Sequence, residues 1–243
     1  MLTITFNPTF ASGQDLISFY NYNKPTTLTK EYVDFMKIAS NGRVNYQVIR
    51  EDVVNDFVPL IAGQTKFNET TYKACMTDKK KCNPQASFDY AGFINANKIC
   101  DKFNTGEIDE VWFFAGPWFG FHESSLTGKN SYWMNSYPIE GTNCGKPLPL
   151  MGFNYERLTS LMVEDFMHRA EATMIKVYGK WESINLISNW DKFTQINYYT
   201  KKGFNACGGG HFTPNSSTEY EYTSERSVSV SYTHLTLPTI YSV

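Results

Sequence analysis

An α/β fold, built on a mostly parallel sheet with one antiparallel edge strand, is what this sequence predicts. Three observations point there. Segments with period-two alternation and segments with helical spacing follow one another along the chain. EVWFFAG, from Glu110 to Gly116, is a short apolar and aromatic run stopped by Gly116-Pro117, the pattern of a strand buried on both faces. PLPLMGFN, from Pro147 to Asn154, leads into a long stretch of helical periodicity. Apolar strands alternating with helices favour parallel pairing, because the connecting helices cover the sheet. A doubly wound three-layer α/β sheet is the alternative, with ligands beyond the carboxyl ends of the strands. Gly116–Glu123 and Asn154–Glu156 would then line its crevice. The first strand is not followed by G-x-G-x-x-G, so a dinucleotide is not expected.

The elements follow in order. LTITFNP (Leu2 to Pro8) alternates and reads as a strand. Thr26 to Ser40 carries Leu28, Tyr32, Phe35, Met36 and Ala39 at helical spacing and closes on Asn41-Gly42. Arg43 to Glu51 alternates Val44, Tyr46 and Val48, a second strand. Asn55 to Pro84 is loop-rich, with one helical turn near Thr70 to Cys75. Phe88 to Ile99 reads as a helix. Ser131 to Ile139 is assigned as the edge strand, because Pro138 excludes a central position. Pro147 to Asn154 supplies the last strand, and the helix from Asn154 to Val177 follows it. Residues 1–226 read as a single α/β domain, cut at both ends. Val230 to Thr239 (VSYTHLTLPT) resembles translated sequencing-adapter read-through, so residues 227–243 are taken as a non-native or disordered tail.

Composition narrows the function classes. A formal charge of −2 gives no reason to expect nucleic acid or an anionic membrane as partner. No apolar run is long enough for a membrane helix. Aromatic residues make up 16% of the chain, which suits a protein that handles peptides or glycans on aromatic surfaces. The cysteines are Cys75, Cys82, Cys100, Cys144 and Cys207, with no C-x-x-C pair, so a zinc knuckle is not expected. Cys75 and Cys82 are spaced for a small disulfide loop, and an odd count leaves one thiol over. Asn68 and Asn215 begin glycosylation triplets. These features favour a secreted protein, with a cytoplasmic one as the alternative, since no signal peptide precedes LTITFNP.

The stretch from Asn154 to Val177 holds the candidate chemistry. Its apolar arc is Leu158, Met162, Phe166, Ala170 and Val177, widened by Val163 and Met174. On the other side, Glu164 and His168 lie about 40° apart, and Glu171 lies about 20° from Glu164. Two carboxylates and an imidazole on one stripe can hold a divalent metal or move protons; the same stripe also suits a solvated helix face. His211 closes the loop CGGGH, whose glycines allow unusual backbone angles and close approach. Of the other histidines, His122 reads as a loop residue beside Glu123, and His234 falls in the excluded tail. Trp118 and Phe119, after Gly116-Pro117, can wall a pocket. Tyr132 and Trp133 on the assigned edge strand can stack a sugar or meet a peptide. There is neither a G-x-S-x-G elbow nor a P-loop.

EDFMH, from Glu164 to His168, is similar in register to the HEFGH of zincin-type metallopeptidases. The order of elements is similar too: strand, helix, strand, strand, antiparallel edge strand, strand, then the active-site helix. The resemblance implies a zinc ion, with His168 as its second ligand and Asp165 as the general base. It puts Glu164 where the first ligand histidine stands, and a carboxylate can ligate zinc. The third ligand comes from downstream, with Glu171 and His211 as candidates. The leading expectation is thus a secreted, zincin-like metal-dependent hydrolase of the peptidase kind, with Asp165 and Glu123 as catalytic carboxylates and an active site that departs from the family pattern. Two alternatives stand beside it: a noncatalytic peptide- or glycan-binding domain using the aromatic-rimmed cleft, and a hydrolase on a doubly wound sheet using Glu123 and Glu156 as acid and base.

Overall fold

The computed structural model describes residues 1–179, 188–194 and 208–212, with single residues 218, 220, 221, 223 and 225. The element order is β1 (Leu2–Phe6), α1 (Leu16–Tyr20), α2 (Pro25–Ala39), β2 (Arg50–Val54), α3 (Glu69–Thr77), α4 (Tyr90–Ala96), α5 (Ile99–Asn104), β3 (Val111–Ala115), β4 (Ser124–Thr127), β5 (Leu148–Asn154), α6 (Thr159–Tyr178) and α7 (Asn189–Thr194). The strands form one five-stranded sheet in the order β2-β1-β3-β5-β4. The pairs β1–β2, β1–β3 and β3–β5 are parallel, and β4 pairs antiparallel with β5 at the edge.

Both faces of the sheet are covered, which is why β1 and β3 are buried along their whole length. On one face Trp112 of β3 meets Tyr32 of α2 and Phe153 of β5 edge to face. On the other, Phe113 meets Phe88, Tyr90 and Phe93 around α4. Helix α2 starts with Pro25 at its first turn, where the missing N–H costs nothing, and buries Leu28, Tyr32 and Met36 in one stripe. Helix α3 is set by a capping box between Asn68 and Thr71, so the Asn68 side chain also serves as the helix cap. The Cys75–Cys82 disulfide joins α3 to the segment after it, as the spacing predicts. A second disulfide, Cys100–Cys144, ties α5 to the loop before β5. Cys207, Asn215 and the tail from 227 onward lie outside the described residues. Among the described residues, no helix is long and apolar enough to cross a membrane.

Four assignments shift. The edge strand is Ser124–Thr127, not Ser131–Ile139. Asn130 and Asn135 adopt left-handed backbone angles (φ 65° and 54°) that break an extended run there. The Ser131–Ile139 segment instead lies along the outer edge of β4. Ile139 N donates to Leu126 O at 2.8 Å, and Ser136 Oγ donates to Ser124 O at 3.1 Å. The second strand is Arg50–Val54 and not Arg43–Glu51. The alternation of Val44, Tyr46 and Val48 reflects packing, with Tyr46 5.0 Å from Trp112, rather than a backbone ladder. The expected Phe88–Ile99 helix is two short helices, α4 and α5, with Lys98 in a left-handed conformation between them. Helix α6 begins at Thr159, because Asn154 completes β5. Leu158 is its N-cap and is 66% exposed, and Val177 is also exposed, so neither belongs to the packed arc; Met162 is buried and Phe166 packs half-buried on the core.

Candidate metal centre and its cleft

The side of α6 that carries charge is not a wet face. Glu171 is 5% exposed, and its two oxygens are both engaged. One lies 2.9 Å from His168 Nδ1, and the other accepts from Gly210 N at 2.7 Å. The second contact brings the glycine loop onto the helix. Gly208 has φ 71°, a left-handed angle suited to glycine. At Gly210 a Cβ would stand 3.2 Å from His168 Cε1 and 3.5 Å from a Glu171 oxygen, so the backbone can approach this closely only with little or no side chain. A tight turn, Gly209 N to Phe212 O at 2.8 Å, then presents His211.

His211 Nε2 lies 3.4 Å from Glu164 Oε1, and the His168 and His211 rings meet edge to face at 4.4 Å. One donor atom each from Glu164, His168 and His211 falls within 4.8 Å of the others. Because Glu171 holds His168 Nδ1, Nε2 is the ring nitrogen left to face an ion, the usual arrangement around metal-bound imidazole. Bonds of about 2.0–2.2 Å to a tetrahedral zinc put neighbouring donors roughly 3.4 Å apart. The Glu164–His211 separation meets that value, and the widest separation must contract when an ion binds. Two imidazoles and one carboxylate are a donor set that suits zinc.

The sequence reading missed Tyr220. Its hydroxyl is 3.2 Å from His211 Nε2, its ring lies 4.3 Å from the imidazole, and its backbone N donates to His211 O. No periodic pattern marks it, since it comes nine residues after His211. Glu171, a ligand candidate in the sequence, has one oxygen on His168 Nδ1 and the other on Gly210 N, and is outside the group of three.

A cleft of about 280 Å³ borders α6, and Glu164, His168 and His211 are not among the residues that line it. Asp165 and Glu123 line it together, with Trp118, Phe119, Leu158, Leu161 and Met162 among its walls. Burial pushes the Asp165 carboxyl up to about 8, aided by Glu123 and Glu164 and opposed by His168 and Arg157. His168 is raised, chiefly by its hydrogen bond to Glu171 against the effect of burial, with Glu123 and Glu164 adding to the rise. Glu123 thus acts on both residues and faces the same end of the cleft. It stands directly before β4, and its carboxylate accepts from Asn135 Nδ2.

The predicted substrate contacts divide. Trp118, with φ 69°, is 36% exposed at the cleft rim. Phe119 is buried against Tyr72 and Phe57, and only borders the cleft. Tyr132 packs with Leu126, Met134 and Ala172 beneath Lys176, and Trp133 is part-exposed beyond it; neither lines the cleft. His122 is half-buried and stacks on Tyr90 at 5.7 Å, as a loop residue would. Glu156 pairs with Asn154 and does not share the cleft with Glu123. Compared with family models, curated proteins and solved structures, the chain matches none.

Proposed function

We propose that this protein is a zinc-dependent hydrolase of the zincin type, acting on peptides outside the cell. The observation that carries the reading is the convergence of Glu164, His168 and His211 to within 4.8 Å, from a helix and a loop far apart in sequence. The order of the strands and the long helix supports it: β1, the helix α2, β2, then after three short helices β3, the antiparallel edge strand β4, β5 and α6. Two disulfides are consistent with an extracellular protein, since such bonds persist in oxidising compartments.

Zinc bound there would supply Lewis acidity and an activated water. The chain's own residues do the rest. Glu171 fixes the ring of His168 and, through Gly210, the loop that bears His211. Asp165 and Glu123 face the cleft, where a carboxylate can take a proton from the attacking group and return it to the leaving amine. The outer edge of β4 is occupied by Ser136 and Ile139, so a substrate is held through the cleft rather than by strand pairing along that edge.

The test is metal analysis followed by peptide digestion. The purified protein is expected to bind zinc one to one, and His168→Ala and His211→Ala are each expected to abolish that stoichiometry. Zinc-loaded protein is expected to cleave a mixed peptide library, and chelation to stop it. Unchanged uptake in both variants would refute the metal site.

A further inference from the structure

The cleft has a positive mouth. Arg157 lines it one residue before the N-cap of α6, and Leu158, Leu161, Met162 and Asp165 follow as a single stripe. At 1.5 Å per residue, that stripe runs about 10 Å from Leu158 to Asp165. Its wall is therefore apolar in the middle, acidic at the Asp165 end and cationic at the other.

Arg50 and Arg169 each hold a carboxylate at 2.7 Å. The Arg157 guanidinium holds none among the described residues; its backbone alone is engaged, with Asn154 and Asn23. The side chain borders the same cleft as Asp165 and the apolar stripe. An unpaired guanidinium bordering an apolar cleft fits a planar anion in two-pronged fashion, and such charge-assisted contacts are stronger than neutral ones.

We infer that the cleft takes a peptide segment with an apolar side chain and a carboxylate, the carboxylate pairing with Arg157 and the side chain lying on Leu158, Leu161 and Met162. The carboxylate comes either from the chain terminus or from an acidic side chain. This deepens the reading as a peptide hydrolase and rests on it for the peptide nature of the ligand.

The experiment measures binding to metal-free protein, so that the carboxylate cannot be held by an ion. The probes are N-acetyl-Phe-Phe with a free carboxylate, its amide, and the amides of N-acetyl-Phe-Glu and N-acetyl-Phe-Gln. At least one carboxylate probe is expected to bind about tenfold more tightly than its neutral counterpart. Which one it is separates terminal from side-chain recognition. Arg157→Gln is expected to erase the preference, and Arg157→Lys to retain part of it. Arg157 is exposed, so both variants should keep the wild-type melting temperature. Equal binding of charged and neutral probes, or a preference intact in Arg157→Gln, would overturn the inference. Failure of zinc-loaded protein to cleave any peptide would sink the hydrolase reading alone, because the binding preference is read without metal or turnover.

Discussion

Asp165 carries a cost that pH exposes. In the metal-free protein it holds a proton up to about pH 8, because it is buried and faces Glu123 and Glu164, with His168 and Arg157 as the opposing charges. The unfolded chain releases that proton near pH 4. Between these values the native state binds more protons, so this residue lowers stability as pH rises through the window. Metal-free wild-type protein is expected to melt at a higher temperature at pH 5 than at pH 8, compared with Asp165→Asn, in which that difference shrinks. Equal pH slopes in the two proteins would disprove this account of Asp165. Glu171 makes a separate prediction. Glu171→Gln keeps the shape but weakens the hold on His168 Nδ1, and is expected to reduce zinc affinity roughly 10–100-fold, as loss of such orienting partners does. Competition with a chromophoric chelator would measure it. Glu164 and His168 were legible as a pair from helical spacing, whereas Tyr220 was not, because no periodicity links it to His211.

At the scale of the element, α6 is aimed by a buried ion pair. Arg169 Nη1 lies 2.7 Å from Glu110 Oε1, and the same oxygen accepts from Trp112 Nε1. This fixes the helix against the start of β3, next to the turn that carries Glu164 and His168. Arg169→Met leaves a buried carboxylate without its cation, and about 3–5 kcal/mol of stability should be lost. The double variant Arg169→Met, Glu110→Met removes both charges and is expected to recover much of that loss in urea denaturation. No recovery would mean that the pair is not the origin of the cost. The sequence marked this helix correctly but drew its dry side too simply. An apolar arc predicts what packs on the sheet; it says nothing about a second layer from residues 208–212 that buries the charged side as well.

For the whole molecule, the Cys100–Cys144 bond closes a loop of 44 residues that contains β3, β4 and the cleft-lining turn. Loop-closure entropy gives such a bond about 4 kcal/mol. Cys100→Ser, Cys144→Ser protein is expected to show a clearly lower urea midpoint than wild type. The shorter Cys75–Cys82 loop should matter less, so Cys75→Ser, Cys82→Ser is expected to shift the midpoint by a smaller amount. Peptide mapping of non-reduced protein would check both pairings. Only the short pair was readable beforehand, since proximity in sequence makes encounter of those two cysteines direct, while Cys100 and Cys144 are 44 residues apart and are brought together by the fold.

What the sequence determined by itself follows from local rules. Period-two and helical patterns, and apolar runs closed by Gly-Pro, specify β1, β3, β5, α2 and the body of α6, and from them a mostly parallel sheet. EDFMH and the glycine loop pointed to Glu164, His168 and His211, which the fold brings within 4.8 Å of one another. Tertiary structure decided which short polar segment became the edge strand, because SSLT has too few apolar residues to carry a pattern and is buried by α6 and by the chain laid along it. It also decided that Glu171 orients rather than faces solvent, that Glu123 joins Asp165, and that Arg157 stands at the cleft mouth. Those facts depend on contacts between residues remote in sequence, and such contacts are set by packing, not by the periodicity of either partner alone.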